Sequence, residues 1–111
     1  MKILITENKR YQLAYKVLDD TLSKLHREDY DDNKHKDSIF SNHQVLFQDD
    51  NLNLKLRYSE KEDRLTVYED FWEPLRVLSF GDNEIERVIM WWFQDRVNLH
   101  VDSVYLVGYY H

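Results

Sequence analysis

Cysteine is absent from this chain of 111 residues, glycine occurs twice and proline once. Without cysteine there is no disulfide framework, no thiol chemistry and no zinc site built on thiolates. With glycine only at 81 and 108, a backbone loop that cradles phosphates has nothing to be made from. Long apolar runs are missing too. None approaches the roughly 18 residues of a membrane span, and the first residues lack the apolar stretch and cleavage site of a secretion signal. These absences lead to the expectation of a soluble, cytoplasmic protein with no membrane partner and no cofactor. A chain of this length is expected to form one domain, residues 1–111, burying roughly two thirds of its unfolded surface without covalent help.

What is present is charge and aromatic side chains. The net charge is −6, unevenly distributed: residues 1–27 carry six basic side chains against three acidic, the remainder nine against eighteen. A basic first segment on an acidic body argues against a general nucleic-acid coat and leaves a local contact open.

The strongest periodic signal lies in residues 80–97. At about 100° per residue, Ile85, Val88, Ile89, Trp92 and Phe93 form one apolar stripe, with Met90 and Val97 along its edge. Asn83 is placed to cap this helix, with Glu86 three residues on to complete a capping box. Glu84 and Glu86 oppose the positive end of the helix dipole, and Arg96 its negative end. A stripe of that width predicts a sheet to cover.

Ahead of it, residues 2–5 read as a short β-prone run and Thr6 as the cap of a first helix. Tyr11, Ala14, Tyr15, Leu18, Leu22 and Leu25 then make an amphipathic seam ending near His26. Leu13 and Val17 fall at the edge of the polar face, either widening the buried stripe or marking an interface. Residues 27–38 hold no aliphatic side chain and are expected to form an open acidic connection. Asp29, Asp31, Asn33, His35 and Asp37 alternate like the start of a calcium loop. Lys34 stands where that loop needs glycine, however, and Phe40 where it needs a bidentate glutamate. His26, His35 and His43 have no spacing that places them on one helical face as metal ligands.

The sheet is expected to follow. Residues 39–40 and 45–47 read as one or two strands, and Asp49, Asp50 and Asn51 as a turn. Leu52, Leu54, Leu56 and Tyr58 alternate with Asn53, Lys55, Arg57 and Ser59, the period of a strand with one wet face. A turn at 60–63 returns the chain into residues 65–71. Trp72, Glu73 and Pro74 interrupt the pairing, a strand resumes at 75–80, and a last strand spans 99–107. Because 104–107 is apolar on both faces, that strand is expected to be central or covered by a partner. The resulting fold class is α+β, an antiparallel sheet of about five strands with two amphipathic helices on one face.

The opening Met-Lys-Ile-Leu-Ile-Thr-Glu-Asn is similar to the start of many short proteins of tailed bacteriophages, marine ones especially. Trp92-Phe93-Gln94-Asp95-Arg96, followed by Asn98-Leu99-His100-Val101, resembles the ending of some of them. The resemblance covers the first eight residues and the last thirty. It implies a viral accessory protein in the host cytoplasm, with the virion left open, and a layout of helix, antiparallel sheet, helix and strand. It carries no activity, cofactor or catalytic residue.

No serine lies in a nucleophile elbow, and the adjacent carboxylates, Asp49 with Asp50 and Glu69 with Asp70, sit at turns or on alternating faces. Only separation in space would decide a glycosidase-like pair. The chain is therefore not expected to be an enzyme. Two readings stand in front. In the first, Trp91 projects about 240° from Ile85, among Glu84, Arg87 and Asp95, and centres a protein contact with Arg87, Tyr109 and Tyr110, with Leu13 and Val17 as further candidates. The cheapest such contact is a homodimer, unless residues 70–74, with Trp72, fold over Trp91. In the second, Lys9, Lys16, Lys24 and Arg27 form a basic face for a nucleic acid, although specific binding is not expected against the acidic body. Mimicry of nucleic acid by that body would need denser carboxylates.

Overall fold

The computed structural model describes residues 2–31, 43–78 and 83–108, with residues 2–8 and 31 given by backbone alone. The order of elements is α1 (Lys2–Leu22), β1 (His26–Asp31), β2 (His43–Gln48), β3 (Leu54–Ser59), β4 (Arg64–Val67), α2 (Glu69–Trp72), a 3-10 segment (Glu73–Leu78), α3 (Glu84–Val97) and β5 (Ser103–Leu106). The five strands lie in the order of the chain. Neighbours are antiparallel except β4 and β5, which are parallel because the helical segments carry the chain back to the starting end. The fold is α+β with a mostly antiparallel sheet, as the alternation over 54–58 and the stripe over 85–93 imply.

One face of the sheet is a double row of apolar side chains. Val45, Tyr58, Leu65 and Val104 lie side by side across four strands, and Phe47, Leu56, Val67 and Leu106 form the adjacent row. All eight are buried. The predicted stripe of α3 covers them: Ile85, Val88, Ile89, Trp92 and Phe93 are buried, and the Phe93 ring meets Phe47 edge-on at 6.2 Å and Tyr58 at 5.9 Å. Ala14 and Leu18 of α1 complete this core, with Tyr11, Tyr15, Val17 and Leu22 at its margin.

Five expectations are corrected by the structure. Residues 2–5 are not a strand, nor does Thr6 cap a helix: α1 already runs from Lys2. An apolar run as short as Ile3-Leu4-Ile5 suits either state, and the longer helix that follows absorbs it. That helix stops at Leu22, and turn-type bonds from the Lys24 and Leu25 amides to the Thr21 and Leu22 carbonyls lead into β1. The stretch 26–31 is a strand and not an open connection. Its backbone is paired with β2 while the described side chains from His26 to Tyr30 are exposed, so no apolar period marks it. Residues 32–42, including Ile39 and Phe40, lie outside the described residues.

Residues 75–78 are 3-10 helix, not strand, because Phe71, Trp72 and Leu75 recur at helical spacing and are buried together while Arg76 and Val77 face out. Finally, β5 is an edge strand: Val104 and Leu106 point inward and Tyr105 outward. Asn83 does occupy the cap position of α3, but its side chain makes no capping hydrogen bond. Beyond β5 the chain passes through Gly108 at φ +85°, where a Cβ would lie 2.5 Å from the Glu69 carboxylate. A left-handed backbone pressed against a side chain is a position that glycine suits.

Trp92 is fully buried and meets Phe71 at 5.6 Å as well as Phe93. Trp92→Ala is expected to cost roughly 3 to 5 kcal/mol, the range for large aromatic deletions in a core. Urea denaturation followed by circular dichroism measures it, and an unchanged midpoint would place Trp92 outside the core.

Candidate interaction surface on the helical side

Helices α1 and α3 lie side by side and point the same way, since partners advance together along both. Arg10 Nη2 donates to Glu84 Oε2 at 2.7 Å near the start of α3. The Tyr15 hydroxyl donates to Asp95 Oδ2 at 3.0 Å further along. At the far end Asp19 Oδ1 accepts from the Trp92 indole at 2.8 Å and from Arg96 Nε at 2.9 Å, and Oδ2 from Arg96 Nη2 at 3.2 Å. The Arg96 guanidinium also lies over the Tyr15 ring, 5.4 Å from its centre.

These contacts set the local electrostatics. Partial burial pushes the Asp19 carboxyl up, but the bonds from Arg96 and Trp92 and the Arg96 charge outweigh it and hold it below the usual value. Burial, the bond to Asp95 and the Asp95 charge push the Tyr15 phenol up to about 12. A shallow groove of about 510 Å³ opens above this cluster, lined by Tyr11, Tyr15, Lys16, Asp19 and Arg96 among others. A general acid or base works best with a pKa near the operating pH. Both shifts move these groups away from neutrality.

Trp91 is 47% exposed on the outer side of α3. Its ring lies 6.2 Å from that of Tyr11, tilted by 51°. Residues 70–74 do not fold over it, for Trp72 is buried and donates through its indole to the Val107 carbonyl at 2.9 Å. Arg87, one turn before Trp91, and Asp95, one turn after, are exposed too. Tyr109 and Tyr110 lie outside the described residues. Leu13 is 50% exposed but does not join this surface. At about 100° per residue it points some 160° from Tyr15, away from α3, into a second depression lined by Lys9, Gln12, Leu13 and Lys16. Val17 belongs to the margin of the core.

The four basic candidates are dispersed. Lys9 and Lys16 share the exposed side of α1, where Lys16 lies beside the groove together with Asp20. Lys24 follows the end of the helix. Arg27 is in β1, where Nε and Nη2 donate to the two oxygens of Asp29 at 2.7 and 3.0 Å. His43 stands between Glu60, 3.3 Å away, and Asp29, 3.8 Å away, and His26 pairs with Asp50. Among the described residues no group of three or more histidine and carboxylate side chains is placed to hold a metal ion, and no helix is long and apolar enough to cross a membrane. His35 and most of the calcium-like stretch lie outside the described residues.

Sequence reasoning singled out Trp91 and Arg87, which are both exposed and lie one turn apart on α3. It missed Tyr11 as the ring beside Trp91, and Asp19 as the acceptor for Trp92. Both belong to a helix about 75 residues away in sequence, where Tyr11 reads as part of the seam and Asp19 was given no role. Set beside known proteins, the chain matches no family model, no curated protein and no solved structure.

The lowered Asp19 carboxyl fixes the sign of a pH effect. It stabilises the fold above the unfolded carboxylate value of about 3.9, and the contribution disappears as pH falls through the lower folded value. Asp19→Asn is therefore expected to lower the thermal midpoint at neutral pH and to flatten its decline below about pH 4. Melting curves over that range check it; a decline as steep as that of the unsubstituted chain would mean the carboxylate contributes nothing.

Proposed function

We propose that this chain is a non-catalytic interaction module, of the accessory kind that tailed phages encode, and that it acts by pairing with a second copy through the outer side of α3. One observation carries the reading. Arg87, Trp91 and Asp95 follow one another at intervals of four residues, so a cation, an indole and an anion stand in one exposed line about 12 Å long. Such a line is complementary to itself. A two-fold axis through Trp91 sets Arg87 of each protomer opposite Asp95 of the other, with the two indoles at the centre.

The chemistry of the three residues supports this arrangement. Arg87 has no ion-pair partner among the described residues. The Tyr15 hydroxyl engages only one oxygen of Asp95, which leaves the other for a guanidinium. Tryptophan and arginine are the residue types that dominate interfaces, and Tyr11 widens the apolar centre. The basic face expected on α1 has no comparable support, because its four cations do not share a surface.

In sedimentation velocity, the unsubstituted protein is expected to dimerise with rising concentration and Trp91→Glu to stay monomeric with an unchanged thermal midpoint. Arg87→Asp and Asp95→Arg are each expected to be monomeric alone and to dimerise when mixed, since the mixed pair restores both charge contacts. A monomer at every concentration, or a Trp91→Glu chain that unfolds, overturns the reading.

A further inference from the structure

The helices cover one face of the sheet, and the other carries a different chemistry. Two adjacent rows run across it. Tyr30, Gln44, Ser59, Arg64 and Ser103 make one, and Glu28, Leu46, Arg57, Thr66 and Tyr105 the other. From β1 to β5 this face spans about 19 Å, four strand spacings of about 4.8 Å. Tyr30 at one margin is 52% exposed and Tyr105 at the other 45%. Between them Arg57 and Arg64 stand diagonally on neighbouring strands, both exposed. Neither forms an ion pair among the described residues, and Arg57 Nε donates to Gln44 Oε1 at 3.4 Å. The one carboxylate in the two rows is Glu28, at the β1 margin, where it accepts the Tyr30 hydroxyl at 2.6 Å.

We infer that this face binds single-stranded nucleic acid. Two guanidiniums without carboxylate partners, on a chain of net charge −6, make a local cationic centre that an anionic ligand would neutralise. Half-exposed tyrosine rings lying on a sheet offer stacking surfaces to bases that are already unpaired. Gln44, Thr66 and Ser103 add hydrogen-bonding groups beside the rings and cations. An acidic peptide would use the arginines and leave the rings idle; a duplex would keep its bases stacked away from them. The surface is distinct from the Trp91 line on α3, so this inference stands independently of the dimer.

The test is fluorescence anisotropy of a labelled oligothymidylate of about eight nucleotides, within the usual span of such sites, titrated with the full chain at low salt. Binding is expected, with a log–log salt slope near −1.4 if two phosphates each contribute about −0.7. Tyr105→Ala is expected to weaken it by at least about fivefold, the lower end of what losing one stacked base costs, while Tyr105→Phe retains it. Arg57→Gln with Arg64→Gln is expected to abolish it, thermal midpoints serving as the control for folding. No binding at low salt overturns the inference. So does binding that is indifferent to Tyr105→Ala, or that a polyglutamate peptide displaces as readily as unlabelled oligothymidylate, which would point to an acidic peptide instead.

Discussion

A buried indole needs a hydrogen-bond acceptor, and the position of α1 follows from where Trp92 finds one. Its ring is enclosed by the core, and its N–H would be left unsatisfied inside the protein without the Asp19 carboxylate. That partly exposed carboxylate is held in place by Arg96, which binds it through two nitrogens. Indole, carboxylate and guanidinium thus fix the register of one helix on the other. Glu84 and Arg96, at opposite ends of α3, also oppose its dipole. The charges that steady α3 are therefore the ones that hold α1 beside it, through Arg10 and Asp19.

From that pairing the rest of the architecture is a gradient across the sheet. At the β1 margin the described side chains are wet on both faces and charged, which suits an edge that must not pair with another chain. Towards β4 and β5 the inner face disappears under α3, and the parallel crossover returns the chain to a second edge. Among the described residues, exposed side chains of two kinds stand out on opposite sides of the sheet and helix layers. One kind forms a helical line of arginine, tryptophan and aspartate, the other a strand face of tyrosines and arginines.

The parts of this fold legible in the sequence are those where burial is one-sided. The stripe of α3 and the alternation in β3 could be read because each apolar residue faces the same core. The strand β1 could not, since a paired backbone leaves no trace when His26 to Tyr30 all face solvent. Ile3-Leu4-Ile5 suited two states, and the helical spacing of the buried Phe71, Trp72 and Leu75 was masked by Pro74, which stands among them. The angle of Trp91 on the helix put it on the polar side of α3, but whether residues 70–74 cover it was decided only by the fold, which leaves it half exposed. What stands beside it was not legible, because Tyr11 meets it only after the sheet has brought the two helices together. The outer strand face was half visible, through Arg57 on the wet side of β3. Its assembly with Tyr30 and Tyr105 depends on strand order, which a single sequence does not encode in any local pattern.

The long separation between α1 and its partners has a consequence in time. Arg10, Tyr15 and Asp19 bond to residues 73 to 80 positions later in the chain. At about 5 to 20 residues per second, α1 is made roughly 4 to 15 seconds before the helix it packs against. In that interval the meander of β1 to β4, whose pairings are local, is complete in sequence while α1 still has an unburied seam. Loop closure over so many residues is entropically costly, so docking of α1 belongs to the end of folding and not to its start. Until α3 has been synthesised, Arg10, Tyr15 and Asp19 have none of these partners to bond to.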